Sequence, residues 1–343
     1  MKIGICGHFG GDRVFLDGQN VKKKNLTAEM KKVYGEDQVM TLDTYGGKKA
    51  LLKCLSGLFR MLRTCDNIII LPAQNSVRIF PFYLVALNRF FKKKLHYSVI
   101  GAWLPELTRN KPVLRNTLKK LDAIYPETET MKKALLEQGF TNLKVIPNTK
   151  DIEILKEEDL ETEYSLPLKI CTFSRVTKLK GLDDITEAVT AVNREAGETI
   201  YTLDIYGQIE EGYREEFTEM IEKAGDAVNY MGMIDSRKSV ETVSRYFLLA
   251  FPTRYPGEGV PGTIIDAYCS GVPVLSSRWN SFSDVIDDGI TGIGYETGNV
   301  EELKEKLRMI KDNTDMVISL KKNCLKKAES FRPEILDELI ELA

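Results

Sequence analysis

Residues 251–267 read FPTRYPGEGVPGTIIDA and contain the junction that indicates the fold. An apolar, strand-like run ends near Pro252, and the loop that follows has three glycines and two prolines. Pro261 suits the first turn of a helix, because the N–H that proline lacks has no partner there. Free N–H groups around Gly262 and Thr263 would then point away from the helix at the positive end of its dipole, which predicts an anion site.

The same succession of strand, loop and helix recurs along the chain. The predicted strands are Lys2–Cys6, Val39–Leu42, Asn67–Leu71, Tyr97–Ile100, Ala123–Tyr125 and Leu143–Ile146, then Lys169–Ser174, Thr202–Tyr206, Val228–Met231, Leu248–Pro252 and Pro273–Ser276. Helical spacing of apolar residues lies between them, for example over 182–193, 214–224 and 300–313. Strands that alternate with helices predict parallel sheets covered on both faces.

Two domains are expected, because 343 residues exceed the size at which one hydrophobic core stops growing. The acidic stretch 151–166 lacks clear periodicity and suits a linker. We therefore predict an α/β chain of two tandem, doubly wound, Rossmann-like domains over 1–150 and 151–331, facing across a cleft. A last helix at about 332–343 is expected to pack back onto the first domain. Ligands of such sheets bind outside the carboxyl ends of the strands.

Composition excludes disordered and fibrous classes, since 43% of residues are hydrophobic and 29% are charged. The net charge of −2 hides an asymmetry: residues 1–150 carry 26 basic and 12 acidic side chains, whereas the remainder carries 22 and 38. A basic half predicts an anionic partner, either a membrane surface or nucleic acid. It lacks aromatic residues interleaved on a recognisable motif, so we predict no nucleic-acid partner.

Cysteine and histidine usage argues against a metal or redox cofactor. The six cysteines form no CxxC pair, which predicts buried, reduced thiols in a cytoplasmic protein. There are two histidines, His8 and His96, and no cluster of metal-ligand spacing. The N-terminus does not have the pattern of a signal peptide, and no run of 18 apolar residues could span a membrane. We predict neither a metal nor a cofactor.

A second loop with candidate ligands follows the strand that ends at Ser174. Arg175 and Lys180 lie in this loop, and Gly181 allows the backbone to turn into the next helix. A planar guanidinium and a compact ammonium on one loop suit a diphosphate. Taken alone, the segment is equally compatible with an ordinary basic surface loop.

Two acidic residues flank the predicted anion site of the first loop. Glu258 can accept hydrogen bonds from sugar hydroxyls, and Asp266, eight positions later, can reach a polyol such as a ribose. The alternative is a plain strand–turn–helix junction with acidic surface residues.

The order of these motifs resembles that of the family 4 glycosyltransferases, which have the glycosyltransferase B (GT-B) fold. The matching positions are Ser174-Arg175, Lys180-Gly181, Glu258, Asp266, Gly271-Val272-Pro273-Val274 and the stretch 284–292. Asp266 departs from the family pattern, which usually has Glu there. The resemblance implies a retaining, metal-independent transfer from a nucleotide diphosphate-sugar, UDP-linked, to a glycan or lipid-linked acceptor in cell-surface polysaccharide synthesis.

The resemblance also implies roles for individual residues. The catalytic candidates are Arg175, Lys180 and Glu258. The donor-binding candidates are these three with Gly10, Gly11, Gly259, Val260, Pro261, Gly262, Thr263 and Asp266. On the acceptor side, His8 is a candidate contact or an ordinary loop residue, and Trp103 either stacks on an acceptor sugar or packs as a core aromatic. The loop after the first strand is not GxGxxG, so a nicotinamide cofactor is not indicated.

The basic half contains an amphipathic helical segment over 48–63. Its apolar stripe is Leu51, Leu52, Leu55, Leu58, Phe59 and Leu62, and its basic residues include Lys49, Lys53, Arg60 and Arg63. The pattern fits an interfacial helix on an anionic membrane, and equally a domain helix with a solvated basic face. The resemblance favours peripheral association with the inner face of the membrane.

Two other functions remain open at this stage. One is a GT-B-fold epimerase that acts on a nucleotide sugar, and the other is a non-catalytic nucleotide-sugar-binding partner of another transferase. The shortage of histidines and the Glu–Asp spacing disfavour the epimerase. Asp266 keeps the non-catalytic partner open.

Overall fold

Two parallel sheets, each with its own core, organise the chain. In the computed structural model, residues 1–10, 18–46 and 50–336 are described. Unit 1 comprises the described residues of Met1–Asp151, the short segment Gly257–Val260 and the described residues from Arg332 onward. Unit 2 comprises Ile152–Pro256 and Pro261–Phe331.

Unit 1 contains a five-stranded sheet in the order β2-β1-β3-β4-β5, with every described pairing parallel. Its elements are β1 Ile3–Gly7, α1 Gly18–Tyr34, β2 Val39–Asp43, α2 Leu51–Thr64, β3 Asn67–Leu71, α3 Phe80–Phe91, β4 Lys94–Ser98, α4 Leu104–Arg109, α5 Pro112–Leu118, β5 Ala123–Tyr125 and α6 Glu129–Leu136. All five residues of β1 and of β3 are buried, as expected for strands covered on both faces.

Alternate residues of β3 pack into two different cores, one on each face of this sheet. Ile68 and Ile70 belong to the core that includes residues of α2 and α3, whereas Ile69 and Leu71 belong to the core that includes residues of α1. The alternation follows from the two-residue repeat of a strand. Helices therefore cover both faces, as the alternating pattern of the sequence predicts.

Unit 2 contains a six-stranded parallel sheet in the order β11-β10-β9-β6-β7-β8. Its elements are β6 Leu168–Phe173, α7 Leu182–Ala196, β7 Tyr201–Tyr206, α8 Arg214–Ala224, β8 Val228–Gly232, α9 Ser239–Val243, β9 Leu248–Phe251, α10 Gly262–Cys269, β10 Val274–Ser277, α11 Phe282–Val285, β11 Gly292–Tyr295, α12 Val300–Asp312 and α13 Thr314–Ala328. The predicted fold class, two doubly wound parallel-sheet domains, is confirmed.

Three strand predictions were wrong. The strand predicted at 97–100 spans Lys94–Ser98 instead. Polar His96 and Ser98 are buried and pair with β5, which the apolar pattern did not predict, and Val99 lies beyond the strand. Residues 143–146 form one isolated bridge, Leu143 to Ile124, rather than a strand.

The third error was the omission of β11, whose sequence GIGY lacks a β-branched pattern. Its glycines are required by close packing. A Cβ on Gly292 would lie 2.4 Å from the carbonyl oxygen of Val274, and one on Gly294 would lie 2.6 Å from the ring of Phe282. Because two of its four residues must be glycine, this strand has few of the apolar side chains by which strands are predicted from sequence.

The predicted apolar stripe of α2 is divided in the structure. Leu58 and Leu62 are fully buried in the core of unit 1, whereas Leu52 is 82% exposed and Phe59 is 39% exposed. The core face of α2 is set by Leu58 and Leu62 together with Cys54 and Met61. The helix is therefore anchored in its domain and still presents apolar side chains at the surface.

Candidate functional site

The order of strands in unit 2 reverses between β6 and β9. These strands are direct neighbours, with Ile170 opposite Leu248 and Cys171 opposite Leu249. The chain continues outward through β7 and β8 on one side, and through β10 and β11 on the other. Such a reversal leaves a crevice at the carboxyl ends of the two central strands. The loops that follow β6 and β9 contain the three predicted catalytic residues, Arg175, Lys180 and Glu258.

These two loops are in direct contact. Arg254 donates its backbone N–H to the carbonyl oxygen of Leu179 at 2.8 Å. Gly181 lies in the left-handed region, with φ of 63°, and a Cβ there would lie 2.0 Å from the carbonyl oxygen of Pro252. Only glycine fits at this approach, which explains the Lys180-Gly181 pair in structural terms.

The two predicted cations of the loop after β6 lie in different environments. Lys180 is half-buried, and its Nζ lies 5.4 Å from the ring centroid of Phe251, the last residue of β9. This distance is within the range of a cation–π contact. Arg175 is exposed, directly after Ser174, whose N–H donates to the carbonyl oxygen of Tyr206 at 3.1 Å.

Arg254, which no sequence motif marks, joins the loop after β9 to the start of α7. Its Nε donates to Oδ2 of Asp184 at 2.9 Å, and a terminal nitrogen donates to Oδ2 of Asp183 at 3.0 Å. Burial raises the pKa of Asp184, and the guanidinium opposes this rise. The paired acids at the start of a helix were the one available signal, but their partner lies far along the chain.

The N-terminus of α10 leaves polar groups that could bind an anion. Pro261 is the N-cap of α10, with φ of −70° and ψ of 127°, and it directly precedes the first helical residue, Gly262. It is the cap because its carbonyl accepts from Ile264 N at 3.0 Å. The first N–H groups, of Gly262 and Thr263, have no acceptor within the helix. Within the described part of the chain, Oγ1 of Thr263 is buried without a hydrogen-bond partner.

Asp266 lies on the same helix but is 5% exposed. Ser239, at the start of α9, donates from Oγ to Oδ1 of Asp266 at 3.0 Å. Sequence reasoning missed Ser239, because nothing in its neighbourhood marks it as a partner of α10.

Gly257–Val260 carry Glu258 and group with unit 1. The segment is held at both ends: Ala102 N–H donates to the carbonyl oxygen of Gly257 at 2.9 Å, and Val260 N–H donates to Oε2 of Glu127 at 3.1 Å. Glu258 itself is half-buried, and Gly259 is buried. Glu127 was not predicted as a site residue.

The remaining predicted residues belong to unit 1. Gly10 is buried with φ of 96°, and Gly11 lies outside the described residues. His8 is half-buried and meets Tyr45 edge to face at 5.4 Å. Trp103 is half-buried and packs against the core of unit 1. The assignments of these residues to donor and acceptor stay predictions.

Three further predictions concern thiols, metals and membrane spans. All six cysteines are buried free thiols, as predicted. Over 1–10, 18–46 and 50–336, three or more His, Cys, Asp or Glu side chains do not gather into a group suited to a metal ion. Among the helices formed by the described residues, none is long and apolar enough to cross a bilayer.

The chain is similar in sequence to known glycosyltransferases. Residues 167–313 match the family described as glycosyl transferases group 1. An uncharacterised glycosyltransferase of Methanocaldococcus jannaschii is 24% identical over 255 residues, which cover 68% of this chain and 63% of that protein. The amylovoran biosynthesis glycosyltransferase AmsK of Erwinia amylovora is 28% identical over 160 residues, which cover 44% of this chain and 38% of AmsK. The chain thus spans less than two thirds of the length of these relatives.

Solved structures extend the similarity to the whole fold. HepE of Anabaena, crystallised in complex with UDP, has a TM-score of 0.77 at 16% identity, with 98% of each chain covered. Sucrose-phosphate synthase of Thermosynechococcus elongatus has a TM-score of 0.75 at 13% identity, with 98% of this chain and 96% of that chain covered. Identities this low demonstrate the fold alone. Residues 167–313 therefore resemble the glycosyl transferases group 1 family, and the chain has the GT-B fold of these solved structures.

Proposed function

We propose that this protein is a retaining, metal-independent glycosyltransferase that uses a nucleotide diphosphate-sugar. The observation that carries the proposal is the meeting of two loops at the strand reversal of unit 2. One loop contains Arg175 and Lys180, and the other leads into the N-terminus of α10. This is the position at which doubly wound sheets bind nucleotides.

Positive groups at this position suit a diphosphate leaving group. Negative charge accumulates on the diphosphate as its bond to the sugar breaks. In this proposal, Arg175, Lys180 and the helix N-terminus at Thr263 stabilise that charge as it develops. Because these groups supply the positive charge, the proposed reaction needs no divalent cation.

The remaining donor contacts are assigned by chemistry. We assign Glu258 to the donor sugar and Asp266, with Ser239 beside it, to the ribose. Carboxylates accept hydrogen bonds from hydroxyl groups, as both roles require. The proposed nucleotide is UDP, in line with HepE, whose structures contain UDP and UDP-glucose.

Unit 1 is the proposed site of the acceptor, a glycan or a lipid-linked sugar of a cell-surface polysaccharide. The name of AmsK associates that relative with polysaccharide synthesis. His8 and Trp103 are the proposed acceptor contacts in unit 1.

A peripheral membrane location is part of the proposal. Unit 1 contains the basic half of the chain, and Leu52 on α2 and Phe90 on α3 are each 82% exposed. Phe59 of α2 meets Phe91 of α3 edge to face at 5.7 Å, so these helices are neighbours. Apolar side chains beside basic ones suit the surface of an anionic bilayer.

Two experiments on the purified chain test the activity. Thermal shifts against a panel of nucleotide sugars should single out UDP-linked donors, and labelled donor should be hydrolysed slowly or transferred to a glycan acceptor. Binding without hydrolysis or transfer would favour a non-catalytic partner. Recovery of an epimerised nucleotide sugar would instead identify an epimerase. No thermal shift with any donor would overturn the proposal.

A further inference from the structure

A buried ion pair lies under the segment Gly257–Val260. Lys22 of α1 is 4% exposed and Glu127, just after β5, is 5% exposed. Their Nζ and Oε1 atoms are 2.7 Å apart, and Lys22 also donates to the carbonyl oxygen of Val99 at 2.8 Å. The pair therefore joins a helix to the carboxyl ends of two neighbouring strands, β4 and β5.

The second oxygen of Glu127 binds backbone rather than another side chain. Oε2 accepts the N–H of Val260 at 3.1 Å, and Nδ2 of Asn148 donates to the carbonyl oxygen of the same residue at 3.2 Å. At the other end of the segment, Gly257 accepts from Ala102 N–H at 2.9 Å. Glu258 lies between these two fixed ends.

The approach of the segment to Glu127 is close enough to require glycine at position 259. A Cβ on Gly259 would lie 1.9 Å from Oε2 of Glu127 and 3.3 Å from Cα of Gly101. Any side chain at Gly259 would therefore displace the segment from the carboxylate.

Stability alone is a weak explanation for this arrangement. Burial lowers the pKa of Lys22, and the charge of Glu127 opposes that shift. Buried ion pairs often contribute no more to folding than an apolar pair of the same size. A buried carboxylate with one oxygen on a lysine and the other on backbone is instead suited to fixing a segment in one position.

We propose that Glu127 is a positioning residue, which holds the main chain at Val260 and thereby orients Glu258. The inference rests on the proposed function, in which Glu258 binds the donor sugar. Glu127 touches no substrate in this scheme and acts through the segment Gly257–Val260.

Two double variants isolate the hydrogen bond to Val260 from the ion pair. Lys22→Met with Glu127→Gln removes both charges and keeps an oxygen that can accept from Val260. Lys22→Met with Glu127→Leu removes both charges and that acceptor. Neither leaves a buried charge without its partner. Gly259→Ala retains both charged residues and displaces the segment from the carboxylate by an independent route.

The expected result is a difference in kcat/KM between the two double variants, measured at a temperature at which both are folded. The leucine variant should have a kcat/KM for the donor about tenfold lower than the glutamine variant, as for the loss of one hydrogen bond. Amide hydrogens of 257–260 should also exchange faster in it. Adding Glu258→Ala should lower kcat/KM in the glutamine variant and cause little further loss in the leucine variant.

Equal kcat/KM and equal amide exchange in both double variants would overturn the inference. If either double variant fails to fold, Gly259→Ala decides, since a wild-type kcat/KM in it would contradict the positioning role. Failure of the proposed function is recognised separately, because wild-type protein would then turn over no donor. In that case amide exchange still determines whether Glu127 orders the segment.

Discussion

Arg254 donates through Nε to Oδ2 of Asp184 at 2.9 Å, which joins the loop after β9 to the start of α7. Asp184 is 3% exposed, so this hydrogen bond is shielded from solvent. The same guanidinium reaches Asp183 at 3.0 Å. We call these contacts of Arg254 with Asp183 and Asp184 the clamp. The clamp joins the two loops that flank the proposed donor site.

Arg254→Ala should lower the free energy of unfolding by about 1–3 kcal/mol, because it leaves the buried Asp184 without its cation. The value allows for the partial exposure of the arginine. Urea denaturation measures it. Asp183→Asn is the matched control and should cost less, since Asp183 is 38% exposed. An equal loss in both variants would contradict the assignment of the clamp to Asp184.

Lys180→Ala should reduce kcat by about 100-fold while changing the donor dissociation constant far less, because charge on the leaving group is greatest in the transition state. Single-turnover kinetics and donor titration measure the two effects. Lys178→Ala is the control from the same turn, since Lys178 pairs with Glu216 at the surface at 2.9 Å. A wild-type rate in Lys180→Ala would count against the mechanism.

Chelation tests the absence of a metal requirement. Dialysis against EDTA should leave the initial rate unchanged, because Arg175, Lys180 and the N-terminus of α10 supply the positive charge in the proposed mechanism. A loss of rate that Mg²⁺ or Mn²⁺ restores would show that a cation takes part.

Membrane association is tested by flotation with anionic liposomes at low salt. Wild-type protein should float with them, and added salt should release it, because the basic residues of unit 1 contribute through screened charges. Leu52→Ser with Phe90→Ser should reduce the bound fraction, since both side chains are 82% exposed. Leu136→Ser, at a 49% exposed position on α6, is the control. Absence of binding by the wild type at low salt would refute the membrane location.

Stability in acid should depend on His96. Burial lowers the pKa of His96 from 6.5 to about 4, and its ring nitrogens contact Tyr125 and Asn67 at 2.9 and 3.1 Å. The unfolded chain binds a proton at His96 more tightly than the folded chain does. The stabilisation that comes from the neutral, buried imidazole is therefore complete above pH 6.5, and it decreases as the pH falls towards 4. The loss amounts to about 3 kcal/mol.

Denaturation of His96→Gln between pH 7 and 4 measures this effect. The stability advantage of the wild type over the variant should shrink as the pH falls. His8→Gln is the control, and a similar shrinkage in that variant would refute the assignment to His96.

The sequence predicts those parts of the candidate site whose position depends only on neighbouring residues in the chain. Arg175 and Lys180 follow a strand end that an apolar run and a glycine mark, so their place at one edge of a sheet could be inferred. Arg254, Ser239 and Glu127 could not be found in this way. Their partners are Asp184, Asp266 and Val260, which are distant in sequence, and the pairs meet only once the sheets have formed. β11 was missed for a related reason, since its glycines are required by close contacts with residues of other elements.

The grouping of Gly257–Val260 with unit 1 affects how the chain can be divided. A fragment cut at residue 151 would contain Glu127 and Asn148 but not the four residues that they bind. A chimera that joins this unit 1 to the second domain of a relative would give Glu127 a foreign segment. Exchange between relatives should therefore transfer 257–260 together with the first domain, and a boundary drawn by sequence order alone would separate this segment from the residues that hold it.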